Sequence, residues 1–226
     1  MASEINWIDL GRIDYEEAFN IQEKIHSQCV AGTEKDTLLY QENPPTITLG
    51  RGTHPENLLV SSCLLKKQGF VITEVSRGGD ISYHGPGQLV VSPIVHFENY
   101  VSNAIQFVRT LEQVVIDVLD IYAISGKRIK GLSGVWVQNP KTKEDEKISA
   151  LGIAIIHGVS CHGISINIHP DLEHFKKIIP CGIEDKGVTS MACFGVSPSV
   201  KEVRNNVTKA FDELFGTLSI EKTVKK

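Results

Sequence analysis

Residues 77 to 93 read RGGDISYHGPGQLVVSP, with Gly78, Gly79, Gly85 and Gly87 falling within ten positions and Pro86 between the last pair. Glycines at this density let the backbone take positive φ and approach a ligand closely. They also make the segment costly to order, so the rest of the chain must act as its frame. Two apolar runs, FVITEV (70 to 75) and LVVSPIV (89 to 95), predict strands that hold its ends. The segment carries Arg77, Asp80, Ser82, Tyr83, His84 and Gln88, more polar and aromatic groups than a hairpin turn needs. It reads either as a binding loop or as a glycine-rich connection with solvated side chains. Neither the GxxxxGK(S/T) nor the GxGxxG order is present, so it is not a phosphate loop.

The frame is mixed. Asp14 and Glu17 resemble a capping box, and Ala18, Phe19, Gln22, Ile25 and Cys29 follow at helical spacing up to Gly32. TLLYQ (37 to 41) and TITLG (46 to 50) predict a hairpin or strand pair around ENPP. Ser61 or Ser62 caps a short helix, CLLKKQ, closed by Gly69, with Cys63 expected on its buried side. Ser102 opens a long helix with Ile105, Val108, Leu111, Val115, Val118, Leu119 and Tyr122 on one face. GKRIKG (126 to 131) is a basic cluster, either a solvated loop or a surface for an acidic partner. SGVWVQ (133 to 138) predicts a strand, and NPKTKEDE (139 to 146) a surface turn.

KISALGIAII (147 to 156) and SCHGISINI (160 to 168) predict a hairpin joined by HGV. Gly152 and Gly163 interrupt these strands, which points either to a ligand lying along the pair or to a β-bulge. HPDLEHF predicts a turn into a short helix. Ser199 and Glu202 cap a last amphipathic helix through Val200, Val203, Val207, Ala210, Phe211 and Leu214, ended by Gly216. Without regular βαβ alternation, the expected fold class is α+β with a mixed or mostly antiparallel sheet flanked by helices. One domain over 1–226 is expected, with 217–226 a peripheral tail.

The 226 residues, 41% of them apolar, suffice for a substantial core. A net charge of −4 argues against a nucleic-acid binder held by bulk charge. No run of eighteen apolar residues occurs and the acidic start lacks the pattern of a signal or transit peptide, so the expectation is a cytoplasmic protein, or a mature form from an organelle matrix, with no membrane partner. Five widely spread cysteines with no CxxC and no zinc-ligand spacing suggest free thiols and no metal site.

Cys181 differs from the other four. It lies between Pro180 and Gly182 on an expected loop, where a bulky acyl donor has room to approach a thiol nucleophile. Such a thiol needs a cation or a helix N-terminus to stabilise its thiolate. Lys147, His84 and His162 are the candidates, and the residue pattern does not choose among them. Cys161 is the rival nucleophile, although its neighbour His162 faces the opposite side of a strand.

RGGDISYHGPGQLVVSP, GVWV (134 to 137), KISALGI (147 to 153), HGISINI (162 to 168) and IIPCGIEDKGVTS (178 to 190) occur in the order found in the lipoyl(octanoyl) transferases, which this chain resembles. The resemblance implies a fold related to the lipoate ligases and the biotin ligase catalytic domain. It implies that Cys181 carries an octanoyl thioester and that Lys147 lowers its pKa. It assigns the acyl pocket to Arg77, Gly78, Gly79, Asp80, Ile81, Ser82, Tyr83 and His84, to Ala150, Leu151 and Gly152, and to Gly163, Ile164 and Ser165. The implied donor is octanoyl acyl carrier protein. The implied acceptors are lipoyl domains of 2-oxoacid dehydrogenase acyltransferase subunits and the glycine-cleavage H protein; no cofactor, ATP or metal is required. Ser82 and Ser165 stand where the family commonly has threonine and alanine, and Ser92 replaces an aromatic residue. An ATP-dependent lipoate-protein ligase of the same fold is the nearest rival, and a non-catalytic acyl binder the next.

Overall fold

Short β-branched and aromatic runs broken by glycine and proline become twelve strands among residues 3–223, which the computed structural model describes. The chain begins with β1 (Ser3–Arg12), α1 (Tyr15–Val30), β2 (Thr37–Glu42), β3 (Thr46–Leu49), α2 (Ser62–Lys67), β4 (Val71–Glu74), β5 (Ile81–His84) and β6 (Gln88–Ile94). It continues through α3 (Ala104–Ile121), β7 (Gly126–Ile129), β8 (Leu132–Gln138), β9 (Asp145–Ile156), β10 (Val159–Asn167), β11 (Gly187–Val188), α4 (Val200–Phe215) and β12 (Thr217–Glu221). The large sheet runs β12-β1-β2-β6-β10-β9-β8-β7, with β11 attached to β9; a small sheet runs β4-β3-β5. Pairing is parallel for β12/β1, β1/β2, β11/β9 and β3/β4, and antiparallel elsewhere.

One face of the large sheet carries Leu38, Tyr40, Leu89, Val91, Ile164 and Ile166, packed in a single cluster with α3 and α4. The other face meets α1 through Ile25, Cys29, Leu39 and Ile94. The small sheet keeps its own core of Ile47, Leu65, Phe70, Ile81, Tyr83, Phe175 and Ile178. The site lies where α1 and the small sheet meet this second face.

Several sequence expectations are corrected. β2 and β3 are not a hairpin: β2 pairs with β1 and β6, whereas β3 pairs with β4 and β5. Pro44 and Pro45 offer no ladder donors and turn the chain out of the large sheet. Residues 77 to 88 are not one loop, because 81 to 84 form β5. The segment 217–221 is no peripheral tail but the edge strand β12, in register with β1 from Ser3↔Thr217 to Trp7↔Glu221; residues 224–226 lie outside the described residues. Asp14 makes no side-chain capping bond. Cys63 is exposed, and Leu65 is the buried member of α2.

α3 is capped by Asn103 and buries Phe107 against Phe97 and Phe215, which leaves Ile105, about 200° around the helix, 75% exposed. The first four residues of GKRIKG form the edge strand β7, with Lys127 paired to Asp145 at 2.6 Å and Arg128 to the fully buried Glu112 at 3.2 Å. Its arginine is therefore committed internally.

The glycines of β9 and β10 have separate reasons. They face each other in register, and His157 and Gly158 turn the hairpin with φ of 51° and 78°, as a two-residue turn requires. A Cβ on Gly163 would lie 1.9 Å from the Val91 carbonyl oxygen, so glycine there permits the approach of β6. Between the pairings Ile164↔Val91 and Val159↔His96 the register sets Pro93 across from His162. Pro93 has no N–H to give to the His162 carbonyl; His162 takes φ 59° there, and its own N–H donates to Gln22 Oε1 at 2.6 Å. Gly152 faces Arg77, whose Cδ would be 3.2 Å from an added Cβ.

Candidate active site

Strand alternation builds one wall of a cavity from a single face of the large sheet. Gln41, Val90, Ser165 and Ala150 form one row across four strands, and Ser92, Gly163 and Gly152 belong to the next. α1 lays Tyr15, Phe19 and Gln22 over these rows, spaced four and three residues apart and so on one helix face. Arg77, Ser82, His84 and Cys181 close the opposite side.

Cys181 is half-buried and sits in the left-handed region at φ 58°, a conformation that costs a non-glycine residue about 1–2 kcal/mol. Its segment is tied down on both sides. Ile179 N donates to Asn57 O at 2.8 Å, and Ile178 bridges Leu58. Asp80 accepts from Ile81 N at 2.6 Å, from His54 N at 3.3 Å and from the Asn57 side-chain amide. A Cβ on Gly182 would come within 2.8 Å of Asp80 Oδ2, so glycine is needed for the cysteine turn to seat against this carboxylate.

Arg77 is buried and donates to Thr48 Oγ1 at 2.8 Å, Thr48 O at 3.2 Å and Gly78 O at 3.1 Å, with no carboxylate in salt-bridge contact among the described residues. Burial lowers its pKa, while Tyr15, Cys181 and Asp80 act the other way by charge. Arg77 thus feels the charge of Asp80 as well as an anion on Cys181, without a direct ion pair to a carboxylate among the described residues.

The surroundings of the two histidines disfavour their cationic forms. Burial and the nearby Arg77 push both His84 and His162 down to about 4. His84 holds Gln88 Oε1 at 2.8 Å and stacks on Tyr15, while His162 stacks on Phe19. Their burial in neutral form carries a testable cost. Stability from these groups is fully present above about pH 6.5, the unfolded value, and is lost as pH falls toward about 4, by up to roughly 3 kcal/mol per histidine. Urea unfolding at pH 7.5 and 4.5 is expected to show this loss in the native chain and a smaller one in His84→Gln and His162→Gln; equal losses in all three would contradict it.

Cys161 lies outside the cavity that Cys181 lines, in the wall of a neighbouring one, and burial pushes its thiol up to about 11. Cys29, in the core, is pushed up to about 12 by burial and the charges of Asp36 and Glu34.

Of the residues singled out in the sequence, Cys181, Arg77, Ser82, His84, Ala150, Leu151, Gly152, Gly163, Ile164 and Ser165 line one cavity. Ile81 and Tyr83, the alternate positions of β5, point instead into the small-sheet core. Tyr83 OH meets His174 Nδ1 at 2.7 Å. Gly79 serves a backbone crossing, its carbonyl oxygen 2.4 Å from where a Cβ on Gly50 would stand, and Gly78 rests over β9 near Ile153 O. Asp80 anchors the cysteine turn.

Lys147 is 5% exposed and outside the cavity lining, with its Nζ 4.8 Å from the Trp136 ring centroid. Val135 and Val137 belong to the α3–α4 core, so Trp136, and Lys147 opposite it, lie on the sheet face that carries the cavity. β11, a few residues past Cys181, pairs Val188 with Lys147 and holds the cysteine segment against that strand. Tyr15, Phe19, Gln41 and Val90 were missed as lining residues. The polar Gln22 within an otherwise apolar helical stripe was the available signal.

Among the described residues no helix is long and apolar enough to cross a membrane, and no group of three His, Cys, Asp or Glu could hold a metal ion.

The family model described as the lipoyl protein ligase A/B catalytic domain matches residues 14–212. An octanoyltransferase of Solibacter usitatus is 43% identical over 206 residues, covering 91% of this chain and 90% of that protein. One from Caldicellulosiruptor bescii is 42% identical, covering 94% and 92%. Among solved structures, a bi-partite lipoate protein ligase from Thermoplasma acidophilum matches with a TM-score of 0.75 at 20% identity, over 99% of this chain and 88% of that one. Biotin protein ligase from Aquifex aeolicus, in complex with biotin and ATP, matches with a TM-score of 0.54 at 17% identity, over 94% and 70%. At such identities the structures establish a shared fold, a mixed sheet flanked by helices.

Proposed function

The chain belongs to the lipoyl protein ligase A/B catalytic-domain family and is an octanoyltransferase of protein lipoylation; on that premise, we propose that the octanoyl group passes through a thioester on Cys181. The observation that supports this most is the placement of Cys181, on a tethered turn that lines the same cavity as the Arg77 guanidinium. The cavity's small residues, Ala150, Gly152 and Gly163, leave room for an acyl chain.

In the first step the Cys181 thiolate attacks the carbonyl of octanoyl acyl carrier protein, the C–S bond to the carrier breaks, and the departing thiolate takes a proton from the Lys147 ammonium. In the second, the amine of an acceptor lysine attacks the octanoyl-Cys181 carbonyl. The amide forms, Cys181 leaves as thiolate, and the neutral Lys147 amine takes the proton lost by the nucleophile. The cycle closes with thioester and amine converted to thiol and amide, and it draws on neither ATP nor a metal.

The partners are an acyl carrier protein and lipoyl domains. We assign the acceptors to 2-oxoacid dehydrogenase acyltransferase subunits and the glycine-cleavage H protein. The cytoplasm is our proposed site of action, supported by five free cysteines.

Incubation with octanoyl carrier protein in the absence of ATP is expected to add the mass of one octanoyl group to the intact protein. Hydroxylamine should remove the adduct, and a lipoyl domain should discharge it. Modification of the lipoyl domain only when free octanoate and ATP are supplied would move the chain to the ligase chemistry.

A further inference from the structure

A second cavity lies beside the first, and the two share Phe19, Gln22 and His162 in their linings. These three side chains partition one space from the other. Two of them are fixed by hydrogen bonds. His162 is held through its backbone N–H on Gln22 Oε1 and through Nε2, 3.3 Å from Ser76 Oγ. Gln22 is held at its other end by Ser92 Oγ at 3.2 Å. Phe19 has no polar group and rests on the His162 ring, with centroids 5.5 Å apart and planes 9° apart. It is the member of the partition that can move or be trimmed without orphaning a donor or acceptor.

We infer that the Phe19–His162 stack is the chain-length stop of the acyl site. A saturated acyl chain presents no group for hydrogen bonding, so selectivity for its length must come from where the lining ends. Beyond the phenyl ring the second cavity is partly open to solvent and offers Val30 and Ile156, 40% and 43% exposed, as apolar walls among Glu23, His26 and Ser27. A chain longer than the first cavity holds must displace Phe19 to reach them. Each methylene buried past the stop improves relative binding by about fourfold. This inference rests on the proposed acyl transfer and adds to it the residue that sets the substrate's length.

The test is a competition. Octanoyl and dodecanoyl carrier protein are supplied at equal concentration, and the acyl groups on the lipoyl domain are counted by intact mass. The native enzyme is expected to deliver mainly octanoyl groups. Phe19→Ala should raise the dodecanoyl-to-octanoyl ratio by at least about tenfold, up to about 250-fold if all four further methylenes are buried. Phe19→Leu should move the ratio the same way by less and covers the case in which the alanine variant fails to fold. Phe19→Trp should lower it. An unchanged ratio in the folded variants overturns the stop. The readout sits on the acceptor, so it is separable from the intermediate: a shifted ratio with no hydroxylamine-labile adduct keeps the stop and refutes the thioester, and an adduct with an unchanged ratio does the reverse.

Discussion

Cys181→Ser is expected to lower kcat/KM for octanoyl transfer by about 10³-fold or more while leaving the fold intact. Serine is close to cysteine in size and inherits the same left-handed backbone and the same tethers through Asn57 and Asp80, so stability should change little. Its chemistry differs. A thiol with an ordinary pKa near 8.5 is a few per cent thiolate at pH 7 without any base, and a nearby cation increases that fraction. A hydroxyl needs a general base. The histidines in the cavity are poor ones, since both are lowered to about 4 by burial and Arg77, and both have ring nitrogens engaged by Gln88 and Ser76. The measurement is single-turnover transfer from octanoyl carrier protein to a lipoyl domain. Activity within tenfold of the native enzyme would mean that the acyl group passes directly from carrier to acceptor with no enzyme-bound intermediate.

Much of the sheet was legible because its signals are local. HGV between two β-rich runs defines the β9–β10 hairpin, and Ser199 with Gly216 brackets α4. What was missed depends on distant partners. β1 and β12 pair with each other across the length of the chain, and nothing in EINWIDL or TLSIE announces that pairing. The supposed hairpin across Pro44–Pro45 failed for the same reason, because pairing with β6 and with β5 outweighs sequence proximity.

The site divides along the same line. Proline and glycine around Cys181 mark an unusual turn, and the structure adds the Asp80 carboxylate against which Gly182 must fit. Period-two alternation in DISYH already separates Ser82 and His84 from Ile81 and Tyr83, although treating the stretch as a loop concealed it. The contribution of α1 could not be read, because Tyr15 and Phe19 gain a role only from the sheet face that the helix crosses.

Lys147 carries the other large expected effect, and two substitutions separate its duties. Lys147→Met keeps length and apolar contact with Trp136 but removes both charge and proton acceptor; overall transfer should fall by about 10²- to 10⁴-fold. Lys147→Arg keeps the charge, and a guanidinium stacks well on an indole face, but with a pKa above about 12 it cannot take up a proton at neutral pH. If Lys147 acts only as a counter-charge, the arginine variant should load and discharge at nearly the native rate. On the proposed mechanism the two half-reactions diverge: acyl-Cys181 should form faster in the arginine variant than in the methionine variant, while discharge to the lipoyl-domain amine stays slow in both. Quenched-flow mass spectrometry of each half-reaction measures this directly. Native rates in both steps for Lys147→Met would reduce Lys147 to a buried partner of Trp136, and the Arg77 guanidinium would then be the cation that supports the thiolate.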